Sequence, residues 1–510
     1  MRTTNSLKNI STSLLNNLLL NVLRFVSRTI FIKVLGETFL GINGMLSNVL
    51  GILAFADLGI GSAISYSLYK PLAENDTEKI KLYMNFYKKA YTIIGIVVLC
   101  LGLTLLPFLD FFVKDDLGIN YLHIYYLIFL TNMVIGYLFS YKRTLIIADQ
   151  KEYKIVPIIM IFNFLVTISQ IIVLIIFENY FLYLIIQTLF ILIENICVNI
   201  YIDKKYQYIK EKTTSKLSKN ELAPIKKNVK ALIFHKVGSY FVDSTDNIII
   251  SKFLGLSFVG LYSNYYLIIN MINTFINSAL NSVVSIIGNV NISETPAKRL
   301  EIFKIFNFIS FIVFSTCSLC LFNLFNLFVG DIWIGEKFLL EENTVLILCL
   351  VFFVNGIMHS NEAVKSSAGL YDKDKFVPIF QSIINIVVSI ILVKKIGLVG
   401  VFVGTLISAL FVMIIKPIII YKYIFEKKVW SYYIEFIKQI LILLVSGFIT
   451  RFILNYDFVQ NPILEFIING LISVIVLLTI IYLVYRNTEQ FKNLVGRVKF
   501  LLNSRKEKNN

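Results

Sequence analysis

Residues 155–177 read IVPIIMIFNFLVTISQIIVLIIF, and after Glu178, Asn179 and Tyr180 residues 181–202 read FLYLIIQTLFILIENICVNIYI. A helix that crosses the hydrocarbon core of a bilayer needs about 20 predominantly apolar residues, and a barrel strand needs about 10. Both stretches have the helical length, and neither shows the alternation of a barrel strand. They predict two membrane-spanning helices joined by a short polar turn.

The same pattern recurs along the chain and predicts about 14 spans. The fold class is therefore all-α, a polytopic membrane protein. The predicted spans are Ile10–Leu35, Phe39–Tyr66, Ala90–Phe112, Tyr121–Ile147, Ile155–Phe177, Phe181–Ile202, Ala231–Phe253, Val259–Ile287, Ile302–Val329, Thr344–Ser367, Phe376–Val393, Leu398–Ile420, Tyr432–Leu454 and Ile463–Tyr485.

The composition agrees with this prediction. Of 510 residues, 57% are hydrophobic and 16% are charged, against about 45–50% and 25% in soluble globular proteins. This excludes a soluble enzyme of ordinary composition. The formal net charge of +16 needs an anionic partner, which is either a nucleic acid or a membrane surface.

The positions of the basic residues favour the membrane. If the N-terminus is inside, roughly 37 of the 48 Lys and Arg residues fall on inner loops, as the positive-inside rule requires. Both termini are then cytoplasmic. Lys394 and Lys395 are an exception, because the count puts them outside. Basic inner loops face anionic lipids, so no nucleic-acid partner is needed.

Two segments repeat at nearly the same spacing. Residues 33–41 (KVLGETFLG) match residues 252–260 (KFLGLSFVG), and residues 154–157 (KIVP) match residues 375–378 (KFVP). The spacings of 219 and 221 residues predict a duplication of six spans, with the two copies parallel. The predicted organisation is an N-lobe (1–202), a basic cytoplasmic linker (203–230), a C-lobe (231–422), two further spans (423–485) and a basic cytoplasmic tail (486–510). Repeats of this kind are typical of transporters.

Several spans carry polar residues along one helical face, which marks the side turned away from lipid. The first span has Asn17, Asn21, Arg24 and Arg28, and the eighth includes Asn273 and Asn277. Guanidinium groups can donate paired hydrogen bonds to a phosphate or a carboxylate, and asparagines suit polyhydroxylated ligands. The alternatives are an ion pair between the arginines and a carboxylate in another span, and helix-to-helix hydrogen bonding by asparagine.

Carboxylates and imidazoles inside the spans are candidates for ion or proton coupling, because such groups titrate near neutral pH when desolvated. Interhelical hydrogen bonds or salt bridges are the competing interpretation. The candidates are Asp57, Asp243, Asp246, His359 and Glu362.

No signature of enzyme chemistry is visible. The chain lacks a GxxxxGK[ST] phosphate loop, an HExxH motif and a nucleophile elbow. We predict no catalytic residues, no metal site and no cofactor. Cys317 and Cys320 form a CxxC, but the apolar surroundings offer nothing to stabilise a thiolate.

The stretch RTIFIKVLGETFLGINGMLSNVLGILAFADLGIGSAI (28–64), which includes Asp57-Leu58-Gly59, resembles the first two spans of a known family. TDNIIISKFLGLSFVGLYSNY (245–265) resembles the start of its second lobe. The family is that of the Wzx-type polysaccharide flippases, within the multidrug/oligosaccharidyl-lipid/polysaccharide exporter superfamily.

The resemblance implies a V-shaped bundle of two lobes that moves undecaprenyl-pyrophosphate-linked oligosaccharide across the inner membrane. It implies that cationic residues of a central cavity engage the pyrophosphate, and Arg24 and Arg28 are the positions that fit. Glycan polymerase and glycosyltransferases are implied partners. The alternatives are a lipid II flippase, whose cavity is usually richer in arginine, and a cation-coupled multidrug exporter, which generally has twelve spans. A membrane scaffold without transport is a third possibility.

Overall fold

The structure, a computed structural model, describes residues 2–53, 57, 60–114, 121–211, 217, 218, 222, 245–368, 370, 373–455 and 459–496. Within these ranges the regular structure is helical and contains no strand. This confirms the predicted all-α fold class. The chain folds into two compact units, Met1–Ser263 and Asn264–Asn510.

In the first unit, α5 packs against α1 and α6, and α4 packs against α3 and α6. The helices of this unit are α1 (Arg2–Leu53), α2 (Ile60–Glu74), α3 (Thr77–Leu105), α4 (Leu122–Ala148), α5 (Val156–Phe177), α6 (Tyr180–Lys205), the described part of α7 (245–253) and the start of α8 (Leu256–Ser293).

In the second unit, α10 packs against α9 and α12, and α14 packs against α9 and α13. This unit holds the rest of α8, then α9 (Pro296–Leu327), α10 (Glu342–Ser367), α11 (Val377–Ile396), α12 (Leu398–Ile420), α13 (Trp430–Leu454), α14 (Pro462–Tyr485) and a short helix over 489–496.

Ten helices among the described residues, α3–α6 and α9–α14, are long and apolar enough to cross a membrane. They correspond to predicted spans 3–6 and 9–14. Predicted spans 1, 2 and 8 fall on α1, α2 and α8, while most of span 7 lies outside the described residues, as do most of the predicted linker and the end of the tail. The prediction of about fourteen spans is consistent with this set.

Predicted span 2, Phe39–Tyr66, falls on α1 as far as Leu53 and on α2 from Ile60, and residues 54–56, 58 and 59 lie outside the described residues. α1 contains a kink at Gly36, where φ is 79°, and continues to Leu53. Asp57 then lies in a helical turn, and α2 begins at Ile60. A positive φ strains any residue with a Cβ, so the glycine provides the boundary between the first two predicted spans.

The helix ends have local causes. The carboxylate of Asp76 accepts the backbone N–H of Lys79 at 3.0 Å and caps α3, and this hydrogen bond lowers the pKa of the Asp76 carboxyl. α5 and α11 each begin with a valine followed by a proline, Pro157 and Pro378. Proline is favoured in the first helical turn because its missing N–H would be unpaired there. The second repeated segment thus starts an equivalent helix in each copy.

The two copies of the first repeated segment cross each other within the first unit. A Cβ on Gly41 would lie 1.9 Å from the carbonyl oxygen of Leu256, and one on Gly260 would lie 2.1 Å from that of Glu37. Gly41 and Gly260 occupy equivalent positions of the repeat, and so do Glu37 and Leu256, so each contact is the counterpart of the other. Thr38 and Ser257, 219 residues apart, are also equivalent, and their hydroxyl oxygens are 3.3 Å apart. Equivalent residues that meet on a local two-fold axis support the predicted duplication.

The outer faces of the spanning helices carry large apolar side chains without protein neighbours. In α5 the exposed residues Ile161, Leu165, Ile168, Ile172 and Ile175 recur every three or four positions. α13 exposes 78% of Phe448. Such continuous apolar faces suit a hydrocarbon environment, in agreement with a multi-pass membrane protein.

Candidate functional site

The polar face predicted on the first span lies on α1. Because α1 is helical up to its kink at Gly36, Asn17, Asn21, Arg24 and Arg28 follow one another at spacings of four, three and four residues along one side. Arg24 is exposed, and the other three are partly buried. We call these four residues the α1 polar face.

The α1 polar face contains donors with no acceptor. Nη1 of Arg28 and Nδ2 of Asn21 are buried and have no hydrogen-bond partner among the described residues. Among the described residues, neither Arg24 nor Arg28 forms an ion pair with a carboxylate. An unpaired buried charge is costly, so these N–H groups are available to an anionic ligand.

Tyrosines of α6 border the α1 polar face. The Tyr183 phenol lies beside Ser27 and Arg28. Phe31, one turn further along α1, meets Tyr180 and Tyr183 edge to face, with ring centroids 5.8 and 5.2 Å away. The sequence analysis did not select these tyrosines. Their spacing of three residues, which puts both on one side of α6, was the available signal.

Asp57 lies in a polar cluster with α3 and α4. Its carboxylate accepts a hydrogen bond from the hydroxyl of Tyr91. The Tyr91 ring stands perpendicular to Tyr87 at 4.5 Å, and the Tyr87 hydroxyl is 3.0 Å from that of Thr144. Tyr87 and Tyr91 are one helical turn apart in α3, and this spacing could have identified them.

The other acidic candidate of the first unit is only partly described. Asp246 is buried in α7, with 9% of its surface exposed. Asp243 lies outside the described residues. The predicted role of these residues in ion coupling stays a prediction.

His359 and Glu362 of α10 have different surroundings. The Glu362 carboxylate lies 2.8 Å from Lys365 and 2.6 Å from Lys416 of α12, and Lys365 also contacts Asp374 at 2.6 Å. The His359 ring packs against Phe306, and its Nδ1 is buried without a hydrogen-bond partner among the described residues. Glu362 therefore belongs to a salt-bridge network that joins α10, α12 and the loop before α11.

Asn273 and Asn277 are partly buried on α8. Other asparagines connect helices, which is the alternative function of this residue type in membranes. The Asn323 amide donates to Thr450 at 3.1 Å and Ser473 at 2.9 Å, joining α9, α13 and α14. The Asn361 amide donates to the Tyr432 hydroxyl at 2.7 Å. Asn323 and Asn361 thus have the structural function, and the ligand-binding role of Asn273 and Asn277 stays a prediction.

An apolar groove of about 270 Å³ runs between α9, α10 and α13. Phe322, Leu346, Leu443 and Phe448 line most of it. Arg451 stands at its edge, paired with Glu342 at 2.7 Å. The groove is large enough for several methylene groups of an aliphatic chain.

No group of three or more His, Cys, Asp or Glu residues that could hold a metal ion occurs in the described part of the chain. The five cysteines are all free, and none is in a disulfide. Polar side chains on faces of membrane-spanning helices, rather than a metal centre, form the candidate site.

The described residues thus form a bundle of membrane-spanning helices, and α1 carries buried arginine and asparagine donors without hydrogen-bond partners among those residues. The model of the family described as "polysaccharide biosynthesis protein" matches residues 6–285. Since the match covers more than half of the chain, the protein belongs to this family. No curated protein matches the chain.

Several solved structures share the fold, and three of them illustrate its range. The lipid II flippase MurJ, in an inward closed conformation, is 14% identical with a TM-score of 0.70, over 94% of this chain and 99% of MurJ. An inward-facing multidrug resistance transporter of the MATE family is 13% identical with a TM-score of 0.58, over 78% and 94%. A MATE transporter from Vibrio cholerae, VcmN, is 12% identical with a TM-score of 0.56, over 84% and 99%. At this identity the likeness concerns the fold.

Proposed function

We propose that the protein is a flippase and not an enzyme. It moves undecaprenyl-pyrophosphate-linked oligosaccharide repeat units across the cytoplasmic membrane by alternating access, for capsule, O-antigen or exopolysaccharide synthesis. The observation that carries this proposal is Nη1 of Arg28 on the α1 polar face, which is buried and has no hydrogen-bond partner among the described residues. Membership of the polysaccharide biosynthesis family and a fold shared with a lipid II flippase support it.

The diphosphate is the part of this substrate that resists transfer through the membrane, because charge is poorly solvated in hydrocarbon. Arg24 and Arg28 offset that cost with charge-assisted hydrogen bonds to the phosphate oxygens. Asn17, Asn21, Asn273 and Asn277 supply donors and acceptors for sugar hydroxyls. Most of the polyprenyl tail stays in lipid, and some of its methylene groups lie in the apolar groove beside α13.

Ion coupling is assigned to carboxylates and imidazole inside the spans. Asp57, Asp243, Asp246, His359 and Glu362 are the proposed positions. Among them Asp57, hydrogen-bonded to Tyr91, and the buried Asp246 are the best supported, because Glu362 already has two lysine partners.

Replacing both arginines tests the substrate role. In cells whose surface glycan depends on this chain, Arg24→Ala with Arg28→Ala lowers surface glycan by about tenfold or more, since each charged hydrogen bond contributes about 1.5–3 kcal/mol. Lipid-linked oligosaccharide accumulates on the inner leaflet. Surface glycan, the lipid-linked intermediate and the amount of protein in the membrane are measured together.

Lys33→Ala is the matched control, because Lys33 is exposed on the same helix, beyond the α1 polar face. It leaves export unchanged. If the double arginine variant exports glycan at the normal rate while present in normal amount, the proposed pyrophosphate role is wrong.

The second candidate function is a cation-coupled drug exporter, which the fold shared with MATE transporters favours. It requires that deletion of the chain sensitises cells to drugs while surface glycan stays normal. The flippase proposal requires that the same deletion lowers surface glycan while drug sensitivity stays normal.

A further inference from the structure

A pocket of about 550 Å³ opens at one end of the first unit, where α3, α4 and α6 meet the turn over Gln207–Lys210. One wall is a face of α3 that carries Lys81, Asn85 and Lys88, at spacings of four and three residues. The size is that of typical small-ligand sites, about 300–1,000 Å³. The pocket is therefore large enough for a ligand bigger than a phosphate ion.

The pocket is basic. Its lining includes the four lysines Lys81, Lys88, Lys142 and Lys210 and only two carboxylates, Asp203 and Glu211. Glu78, just outside the lining, also forms an ion pair with Lys81, so the four lysines have three carboxylate neighbours and the pocket keeps an excess of one positive charge.

The ion pairs inside the pocket show where these charges lie. Lys81 is held by Glu211 at 2.7 Å, and Lys142 by Asp203 at 2.7 Å. Lys210 lies 3.8 Å from the second carboxylate oxygen of Asp203, so it is the most weakly paired of these three lysines. Lys88 and Lys210 are therefore the lysines most available to an anionic ligand.

Lys88 has no carboxylate at ion-pair distance among the described residues, and its side chain is exposed. Asn85 and Tyr141 add neutral hydrogen-bonding groups to the same lining. Two ammonium groups, an amide and a phenol can all donate hydrogen bonds to the oxygens of an anionic lipid phosphate. Lysine binds phosphate as a point charge and needs no fixed geometry.

The pocket lies at the membrane surface. Predicted span 3 begins at Ala90, so Lys88 is within one helical turn of the hydrocarbon boundary. The proposed orientation makes this end cytoplasmic, where anionic lipids concentrate. Basic pockets between membrane helices on that side are suited to lipid headgroups.

We propose that this pocket binds the phosphate-bearing headgroup of a membrane lipid. Lys88 and Lys210 bind the phosphate, and Asn85 and Tyr141 contact the rest of the headgroup. The headgroup comes from an anionic glycerophospholipid or from a polyprenyl phosphate. The inference uses the proposed orientation but requires no transport activity.

Lipid binding to the purified full chain tests this site. Native mass spectrometry counts lipids retained after incubation with phosphatidylglycerol, undecaprenyl phosphate or zwitterionic phosphatidylcholine. The wild type retains at least one of the two lipids of net negative charge in preference to phosphatidylcholine. Lys88→Gln with Lys210→Gln weakens that binding about tenfold.

Lys427→Gln with Lys428→Gln is the matched control. It removes the same charge from an exposed pair on the same predicted side of the membrane, outside the pocket, and leaves binding unchanged. Size-exclusion profiles and thermal unfolding verify that each variant is folded.

Phosphatidylglycerol retained by the wild type and lost by the pocket variant identifies a phospholipid site. If instead the wild type retains undecaprenyl phosphate and the pocket variant loses it, the headgroup comes from the polyprenyl carrier lipid. Equal retention by the wild type, the folded pocket variant and the control overturns the proposal. Because binding is measured without transport, this result is independent of the glycan-export experiment.

Discussion

Single charged residues inside the spans differ in what surrounds them, and this separates structural from functional roles. Glu362 lies between Lys365 and Lys416, at 2.8 and 2.6 Å. Arg28 has no such counter-charge in the described chain. Both residues break the apolar pattern equally in the sequence. The partners, which come from helices distant in sequence, decide which of them is available to a ligand.

Glu362→Gln is expected to lower the stability of the protein. The change leaves Lys416 without its carboxylate while Lys365 keeps Asp374. Loss of one member of a buried ion pair is costly, but 43% of the Glu362 side chain is exposed. We therefore expect a decrease of about 1 kcal/mol in the free energy of unfolding, measured by thermal unfolding of the purified protein.

Glu341→Gln, at an exposed site just before α10, is the control and leaves unfolding unchanged. A Glu362→Gln protein of normal stability whose transport no longer responds to a proton or sodium gradient would instead make Glu362 a coupling residue.

The elements follow from the sequence to different degrees. Apolar runs predicted α3–α6 and α9–α14 because a helix in lipid must satisfy its own backbone hydrogen bonds. The α1 polar face followed from helical periodicity. The neighbours of that face, such as Tyr183, depend on how α6 packs, and a single sequence does not contain that information.

The crossing of α1 and α8 is sensitive to substitution at two glycines. A Cβ at Gly41 or at Gly260 would lie about 2 Å from a backbone oxygen of the other helix. Backbone cannot move aside as a flexible side chain can, so the helices must separate. We expect Gly41→Ala and Gly260→Ala each to lower the free energy of unfolding by about 1–3 kcal/mol. Thermal unfolding of the purified variants measures the effect.

Gly136→Ala in α4 is the matched control, because a Cβ there meets no heavy atom within 4 Å. Alanine is the better helix former, so this variant is as stable as the wild type or more stable. If Gly41→Ala and Gly136→Ala unfold at the same temperature, the close approach of α1 and α8 is not present in the protein.

At the scale of the whole molecule, we interpret the net charge of +16 as chiefly the result of basic residues on the predicted cytoplasmic loops. The exception is the pair Lys394 and Lys395, which the charge count puts outside. The structure finds both in the last turn of α11. A helix C-terminus carries a partial negative charge that stabilises cations. The pair therefore has a local reason that is independent of the positive-inside rule.

The orientation is tested by cysteine labelling from one side of the membrane. In a variant whose five native cysteines are replaced by alanine or serine, Lys395→Cys and Lys427→Cys each introduce one exposed thiol. α12 lies between the two positions, so they must face opposite sides. A membrane-impermeant maleimide is expected to label Lys395→Cys in intact cells and Lys427→Cys only after permeabilisation. The reverse pattern would put the basic pocket of the first unit outside, away from the cytoplasmic leaflet whose anionic lipids it is proposed to bind.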